Sequence, residues 1–307
     1  MLNYILRRLI TIVVVIFIVS SITFFLAHAI PGGPFKREKK IPDAVLKNIE
    51  KRYKLDQPLW KQYTEFLINV ARLDFGPSFR YESQSVNDII SRSFPISALI
   101  GLLSLLLALF IGIPAGVISS LKQNKWQDNF VMVFSLIGIS IPSFILSTFL
   151  MYTLGLRFRL FPVAGWGSIS NLILPCITLS AYPMAFIARI MRSSMIEVLR
   201  QDYIRVAYAK GLSRSAVIIK HAIKNSILPV VTYMGPLIAS IFTGSFIVEQ
   251  IFAIPGLGKY FVTSIYDRDY TTILGVTIFY CTILVFLNFL IDIVYSYIDP
   301  RIKVYKS

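Results

Sequence analysis

The stretch SFPISALIGLLSLLLALFIGIPAGVISSL, residues 93–121, contains no Asp, Glu, Lys or Arg. A helix of roughly 20 apolar residues crosses the hydrocarbon core of a bilayer, so this stretch is long enough for one transmembrane helix. It also contains the helix breakers Gly112, Pro114 and Gly116. A membrane helix tolerates such residues because neighbouring helices and Ser or Thr side chains satisfy the freed carbonyls. The sequence leaves open whether these residues only kink a helix bundle or belong to a transport path.

Five further windows are equally free of charged residues, and each is longer than a membrane crossing requires. They are residues 9–35, 129–156, 160–188, 225–248 and 270–291. The whole chain is 55% hydrophobic and 15% charged, whereas soluble domains carry about 25% charged residues. The first window is too long for the apolar region of a signal peptide, and no small-x-small cleavage pattern closes it. The sequence therefore predicts an all-α membrane protein with six transmembrane helices.

The positive charges are distributed unevenly between the two sides of these spans. With six spans, both termini lie on the same side of the membrane. That side carries Arg7, Arg8, Lys122, Lys125 and the eight cations from Arg189 to Lys224. Cytoplasmic loops carry the excess of Lys and Arg, so both termini are predicted to be cytoplasmic. Residues 36–92 would lie outside although they hold twelve cations and eight anions. The rule is counted over short loops, and this segment is close to the length at which it ceases to apply. The net charge of +15 thus indicates a lipid bilayer as partner and not nucleic acid.

The external segment between spans one and two, residues 36–94, carries helix signals. Asp43 and Asp56 are candidate N-caps, with Pro58 in the first turn after Asp56, and Ser85 and Asp88 have capping-box spacing. One apolar stripe recurs at helical spacing: Leu59, Tyr63, Phe66, Val70 and Leu73. We expect a small helical platform whose stripe packs on the membrane domain or, alternatively, recruits a partner.

A long internal loop contains DYIRVAYAKGLSRSAVIIKHAIKNSILP, residues 202–229. Gly211 is suited to a left-handed helix C-cap, and Ser213 to capping the next helix. The spacing places Met195, Leu199, Tyr203, Val206 and Ala209 on one face of the first helix. The loop is therefore predicted to be a helix-turn-helix, basic outside and apolar inside. It could lie on anionic lipid or dock in a groove of another protein, whereas a segment tethered between two membrane spans is poorly suited to reading DNA.

This loop resembles the coupling loop of ATP-binding-cassette importer permeases, whose form is Glu-Ala-Ala, three residues, Gly, and then Leu-Pro. The chain has Arg205-Val206-Ala207, Gly211 and Leu228-Pro229. The missing Glu and the longer spacing after Gly211 are similar to the oligopeptide/dipeptide branch. Five further motifs match that branch in order, and they lean toward the B-type subunit of oligopeptide systems. They are residues 4–8, 31–34, 74–78, 249–258 and 299–301.

The resemblance implies a permease subunit for oligopeptides in a bacterial plasma membrane, with dipeptide or nickel permeases as alternatives. It implies as partners a homologous second permease, two ATPase subunits that bind ATP and Mg, and an extracytoplasmic peptide-binding protein. We divide the chain accordingly into four parts. Residues 1–35 contain the N-terminus and span one, and residues 36–94 form the extracytoplasmic segment. A five-span permease core covers residues 95–300, with the coupling loop at about 189–227, and residues 301–307 form a cytoplasmic tail. The implied coupling residues are Arg205, Ala207, Lys210, Gly211, Ser213, Arg214 and Ile218.

Two further sets of residues are candidates for the transport machinery. Span five is expected to line part of the path, with small polar surface from Thr243, Gly244 and Ser245. The motif that follows span five is expected in an external loop and includes Glu249, Pro255, Gly256 and Gly258.

No catalytic or metal site is predicted. A phosphate-binding loop needs Gly, four residues, and Gly-Lys-Ser/Thr, but Gly258-Lys259 is followed by Tyr260. His28 and His221 stand in different segments, and Cys176 and Cys281 are expected to be buried as small hydrophobes. A secondary transporter or channel is the alternative from another class, but proton-coupled carriers usually place ionisable groups inside the membrane, and these windows are charge-free.

Overall fold

In a computed structural model of the chain, the structure describes residues 2–29, 54–81, 83–242 and 246–298. The regular structure in these ranges is helical. The α-helices are α1 (Leu2–Ala29), α2 (Leu59–Ala71), α3 (Val86–Leu121), α4 (Trp126–Ser140), α5 (Ser143–Leu150), α6 (Ser170–Leu199), α7 (Asp202–Ala209), α8 (Arg214–Ala216), α9 (Lys224–Ser226), α10 (Leu228–Phe242), α11 (Phe246–Ile251), α12 (Leu257–Asp267) and α13 (Tyr270–Ile298). Two π-helical runs, Met151–Arg157 and Val217–Ile223, follow α5 and α8.

Four of the described helices are long and apolar enough to cross a membrane: Leu6–Ala29, Val86–Leu121, Ser170–Leu199 and Tyr270–Ile291. A fifth crossing results if α4 and the helix Ser143–Arg157 count as one broken span. The window 225–248 contains α10, whose 15 residues measure about 22 Å along the helix axis. The all-helical membrane fold is thus confirmed, with four or five spans by length and composition.

The charge-free window 129–156 was predicted to be one transmembrane helix, but it is not one straight helix. Its two halves are bent by 107° at Ile141 and Pro142. Ile141 is extended, with φ −84° and ψ 119°, because the ring of a following proline disfavours helical backbone in the residue before it. By contrast, Pro175, Pro183 and Pro236 lie inside continuous helices.

The chain forms two compact units, and the first consists of residues 1–97 and 255–289. Its core joins Phe24 and Ala27 of α1 to Tyr270 and Leu274 of α13. Helix α2 packs Tyr63 and Phe66 against this core, while Leu59 and Leu73 are exposed. The predicted platform helix is therefore present, and only part of its stripe is covered.

The predicted start of this platform helix was wrong by two residues. Pro58, not Asp56, is the N-cap of α2, and no side chain caps it. The capping box is confirmed: Ser85 Oγ donates to Asp88 Oδ2 at 2.6 Å, and the Asp88 N–H donates to Ser85 Oγ at 3.1 Å. The helix expected after Asp43 lies outside the described residues.

The start of α13 is fixed by a buried carboxylate in the first unit. Asp269 accepts hydrogen bonds from Ser78 Oγ at 2.5 Å, from the Phe79 N–H at 3.1 Å and from Thr272 Oγ1 at 2.7 Å. The motif at residues 74–78 is thereby tied to the N-terminus of the last long helix.

The second unit, residues 98–254 and 290–307, is built around α6. Its core contains Met191 and Met195 of α6 together with Leu105 and Ala108 of α3. Glycines allow the two helices to approach closely. A Cβ added at Gly112 would lie 2.8 Å from the carbonyl oxygen of Met184, and one at Gly116 would lie 2.6 Å from that of Ala188. Larger residues on this side of α3 would force the helices apart.

Candidate functional site

The segment from Asp202 to Pro229 forms two helical limbs joined by a tight turn. Helix α7 ends at Ala209, Lys210 is its C-cap, and Gly211 has φ +77°. The Gly211 N–H donates to the Tyr208 carbonyl at 2.9 Å, and the Leu212 N–H donates to the Ala207 carbonyl at 3.4 Å. This pair of bonds is the Schellman arrangement, which requires a left-handed residue at the position of Gly211. The turn predicted from the sequence is present at Gly211.

The second limb begins at Ser213. Its hydroxyl accepts a hydrogen bond from the Ala216 N–H at 3.4 Å, so Ser213 is the N-cap of α8. The π-helical run Val217–Ile223 then continues to α9 and α10. The Asn225 side-chain amide donates to the Tyr203 hydroxyl at 3.0 Å, which ties the second limb back to α7.

The inner face of the segment packs against the end of α6. Ile204, Ala207, Val217 and Ala222 are buried in one cluster with Met191 and Met195. The inner face predicted for α7 was wrong, because Tyr203 and Val206 are exposed. Gln201 is extended, with ψ 147°, and separates α6 from α7. A single helical period therefore cannot run from Met195 to Ala209.

The outer face of the segment carries exposed apolar side chains beside cations. We define the outer face as the exposed residues Tyr203, Arg205, Val206, Tyr208, Lys210, Leu212, Arg214, Ile219 and Lys220. Ile219 is 65% exposed and Val206 is 52% exposed. A solvated helix face would be more uniformly polar, so the outer face has the composition of a surface that contacts a protein or a lipid.

The seven predicted coupling residues divide between the two faces and the turn. Arg205, Lys210 and Arg214 are exposed on the outer face, and Gly211 and Ser213 form the turn. Ala207 is buried, and Ile218 is partly buried against the core. Ile218 therefore supports the inner face, and its neighbour Ile219 is the isoleucine that points outward.

The other predicted residues lie elsewhere. Thr243, Gly244 and Ser245 lie outside the described residues. Glu249 is buried in α11 of the second unit. In the first unit, Gly256 is the N-cap of α12, Gly258 is buried in that helix, and the Leu257 N–H donates to Ser97 Oγ at 2.9 Å. Pro255 directly precedes this start.

One pair of charged residues near the segment was missed by sequence reasoning. Arg192 of α6 donates from Nε and Nη2 to the two oxygens of Asp128 of α4, at 2.6 and 2.7 Å. Asp128 is 2% exposed and also accepts hydrogen bonds from Ser119 Oγ and, at 2.8 Å, from the Asn124 N–H. The available signal was weak: Asp128 directly precedes one charge-free window, while Arg192 follows another only after Arg189, and the two residues are 64 positions apart.

The remaining candidate ligands are separate from one another. His28 bonds the Phe24 carbonyl and Gln62 within the first unit, and both cysteines are free thiols. Among the described residues, no group of three or more His, Cys, Asp and Glu could hold a metal ion.

Sequence comparison places the chain in a family. Residues 112–304 match the family described as "Binding-protein-dependent transport system inner membrane component", and residues 1–101 match the N-terminal region of such membrane components. The chain belongs to this permease family. As an inner membrane transport component it is not an enzyme, and the alternative of a secondary carrier or channel is set aside.

Several full-length relatives of this permease carry peptide transport names. The dipeptide transport system permease protein of Bacillus subtilis is 47% identical over all 307 residues of both chains. The oligopeptide transport system permease proteins of Salmonella typhimurium and Haemophilus influenzae are 43% and 42% identical over 305 residues, covering 99% of this chain and all of theirs. The predicted oligopeptide/dipeptide branch is confirmed.

The fold of the permease is also similar to that of a solved transporter. A chain of the MetNI methionine ABC transporter, in an inward-facing conformation, matches with a TM-score of 0.52 at 20% identity. The match covers 68% of this chain and 94% of the other. At this identity the similarity concerns the fold alone.

Proposed function

We propose that the permease is one of two homologous membrane subunits of an ATP-driven peptide importer, and that the segment 202–229 couples it to a separate ATPase. The observation that carries this proposal is the outer face of the segment. It presents aromatic and aliphatic side chains, such as Tyr203 and Val206, beside exposed cations at a turn that Gly211 fixes. An amphipathic helix with apolar anchors fits a groove in a partner protein.

The chemistry of this outer face also defines its partner. Apolar side chains become buried in the groove, and the cations Arg205, Lys210 and Arg214 meet acidic groups at its rim. ATP and Mg are bound by two ATPase subunits, since the sequence of the permease has no phosphate-binding loop. An extracytoplasmic peptide-binding protein delivers the substrate, in keeping with the family description.

In this proposal the permease has six spans with both termini in the cytoplasm. Helices α10 and α11 together cover residues 228–251 apart from 243–245, which is as long as the charge-free window 225–248. The Asp128–Arg192 pair supports the orientation, because it brings the turn at Lys122 and Lys125 to the same end of the second unit as the end of α6. The cations of the turn and of the end of α6 therefore lie at one end of the second unit, which has the excess of positive charge expected on the cytoplasmic side.

The path for the peptide lies between the two permeases, and the part that span five is expected to line includes Thr243, Gly244 and Ser245, which lie outside the described residues. The substrate class follows from relatives that carry both dipeptide and oligopeptide names at 40 to 47% identity. Oligopeptides are the substrate favoured by the sequence motifs.

Uptake by intact cells tests the proposal. A strain that lacks the permease should lose uptake of labelled peptides and keep uptake of labelled nickel, and a plasmid copy of the gene should restore the peptides. Dipeptides and pentapeptides, measured separately, assign the preferred length. Loss of nickel uptake with unchanged peptide uptake would contradict the proposal.

A further inference from the structure

The ion pair between Asp128, which is buried, and Arg192, whose side chain is 23% exposed, lies at the end of the second unit against which the segment 202–229 packs. The carboxylate receives four hydrogen bonds: two from the Arg192 guanidinium, one from the Ser119 hydroxyl and one from the Asn124 N–H. These donors come from α6, from α3 and from the turn before α4. A bidentate guanidinium–carboxylate pair fixes orientation as well as distance, because both groups are planar. Three helices are therefore held in one arrangement at this point.

Close backbone packing reinforces the arrangement. A Cβ at Gly116 of α3 would lie 2.7 Å from the Cβ of Met191 and 3.1 Å from the backbone nitrogen of Arg192. Helix α3 thus touches α6 directly at the ion pair. A shift of α6 would have to break the pair or collide with α3.

The residues beside Arg192 carry the coupling segment. Met191 and Met195 have no exposed surface, and they share a cluster with Ile204 and Ala207 of α7 and with Val217 of the second limb. Arg192 and the inner face of the segment are therefore supported by the same two turns of α6. A movement of the segment therefore acts on the part of α6 that the ion pair holds in place.

Stability alone is a weak reason for such a pair. A buried ion pair often contributes no more than apolar side chains of similar volume, since removing two charges from water offsets most of their attraction. What apolar residues do not supply is a fixed direction between the helices.

We propose that Asp128 and Arg192 are positioning residues for coupling. The pair makes the end of α6 rigid, so that a movement of the docked segment is transmitted to α3 and α4 and not absorbed by a local shift of α6. The inference rests on the proposed function of the segment 202–229 as the contact with the ATPase.

Two variants separate positioning from stabilisation. Arg192→Lys keeps the charge and loses the bidentate geometry. The triple variant Ser119→Ala/Asp128→Leu/Arg192→Met replaces the polar cluster by an apolar one. The control is Glu65→Gln, which removes the exposed ion pair between Lys54 and Glu65 on the platform helix, 2.9 Å long. Each is purified with its ATPases and reconstituted in proteoliposomes with the binding protein.

Three quantities are measured: the ATPase retained per permease, the thermal unfolding midpoint, and the peptide transported per ATP hydrolysed. We expect both variants to retain the ATPase, with the triple variant unfolding near the parent temperature. Peptide per ATP should fall about fivefold in both, the size of effect seen for residues along a coupling route, and stay unchanged in Glu65→Gln.

Three results would overturn the inference. The first is a parent-like ratio of peptide to ATP in Arg192→Lys. The second is restoration of that ratio by the apolar triple variant when Arg192→Lys lowers it, since the pair would then act through stability. The third is loss of ATPase retention in both. A failure of the proposed function is recognised separately, because the parent itself would then retain no ATPase or transport no peptide.

Discussion

At the residue scale, backbone conformation and not side-chain space determines what Gly211 tolerates. Gly211 has φ +77°, and a Cβ added there would meet no atom within 4 Å. Gly76 in the first unit is a close match, with φ +78° and the same open surroundings. An L-residue in the left-handed region costs about 1–2 kcal/mol, so both positions carry a similar penalty. The two glycines differ in what the turn positions.

Gly211→Val should therefore weaken coupling, and Gly76→Val should not. The strain of about 1–2 kcal/mol falls on the turn that sets the angle between α7 and the second limb. We expect Gly211→Val to reach the membrane at near-parent levels with several-fold less ATPase co-purified, and peptide uptake should fall with it. Equal ATPase retention and uptake in Gly211→Val and the parent would show that the turn has no part in docking.

Local residue patterns were predictable, while long-range pairs were not. The capping box of Ser85 and Asp88 and the cap at Ser213 follow from residues three positions apart. Asp269 instead accepts from Ser78, which lies 191 positions away, and Arg192 reaches Asp128 across 64 positions. A single sequence shows that the charged residues are present, but it does not show which of them lie close together in the folded chain.

At the element scale, helical periodicity predicted the two limbs of the coupling segment and misassigned the inner face of α7. The pattern from Met195 to Ala209 assumed one continuous helix, but the extended backbone at Gln201 resets the phase. The π-helical run Val217–Ile223 changes the angular step of the second limb in a similar way. Consequently Ile218 faces the core and Ile219 faces outward.

Alanine substitutions at these neighbouring isoleucines should have different effects. Ile218→Ala removes packing from the core and should lower the free energy of unfolding by about 1–2 kcal/mol, less than a fully buried isoleucine. Ile219→Ala should change stability by less than about 0.5 kcal/mol while it reduces ATPase binding. Thermal unfolding and ATPase co-purification of the two variants separate these effects. The opposite assignment of stability and binding would contradict the faces seen in the structure.

At the scale of the whole molecule, composition predicted a helical membrane protein, and the continuity of its helices was harder to predict. Counting charge-free windows treats residues 129–156 as one span, yet Pro142 bends this window by 107°. Pro175 and Pro183 lie inside α6, which continues through both, so a proline in an apolar window does not by itself mark a break. The loop motifs identified the family even though the sequence did not show which apolar window is bent.

Site-specific photo-crosslinking in intact cells tests the central claim, that the outer face of the segment 202–229 contacts the ATPase. A photoreactive residue at Ile219 should capture the ATPase subunit. The same residue at Ile68, 51% exposed on the platform helix α2, should capture none, because that helix lies on the other side of the membrane in this account. Capture of the ATPase from Ile68, or no capture from Ile219 in a complex that transports peptide, would contradict the account.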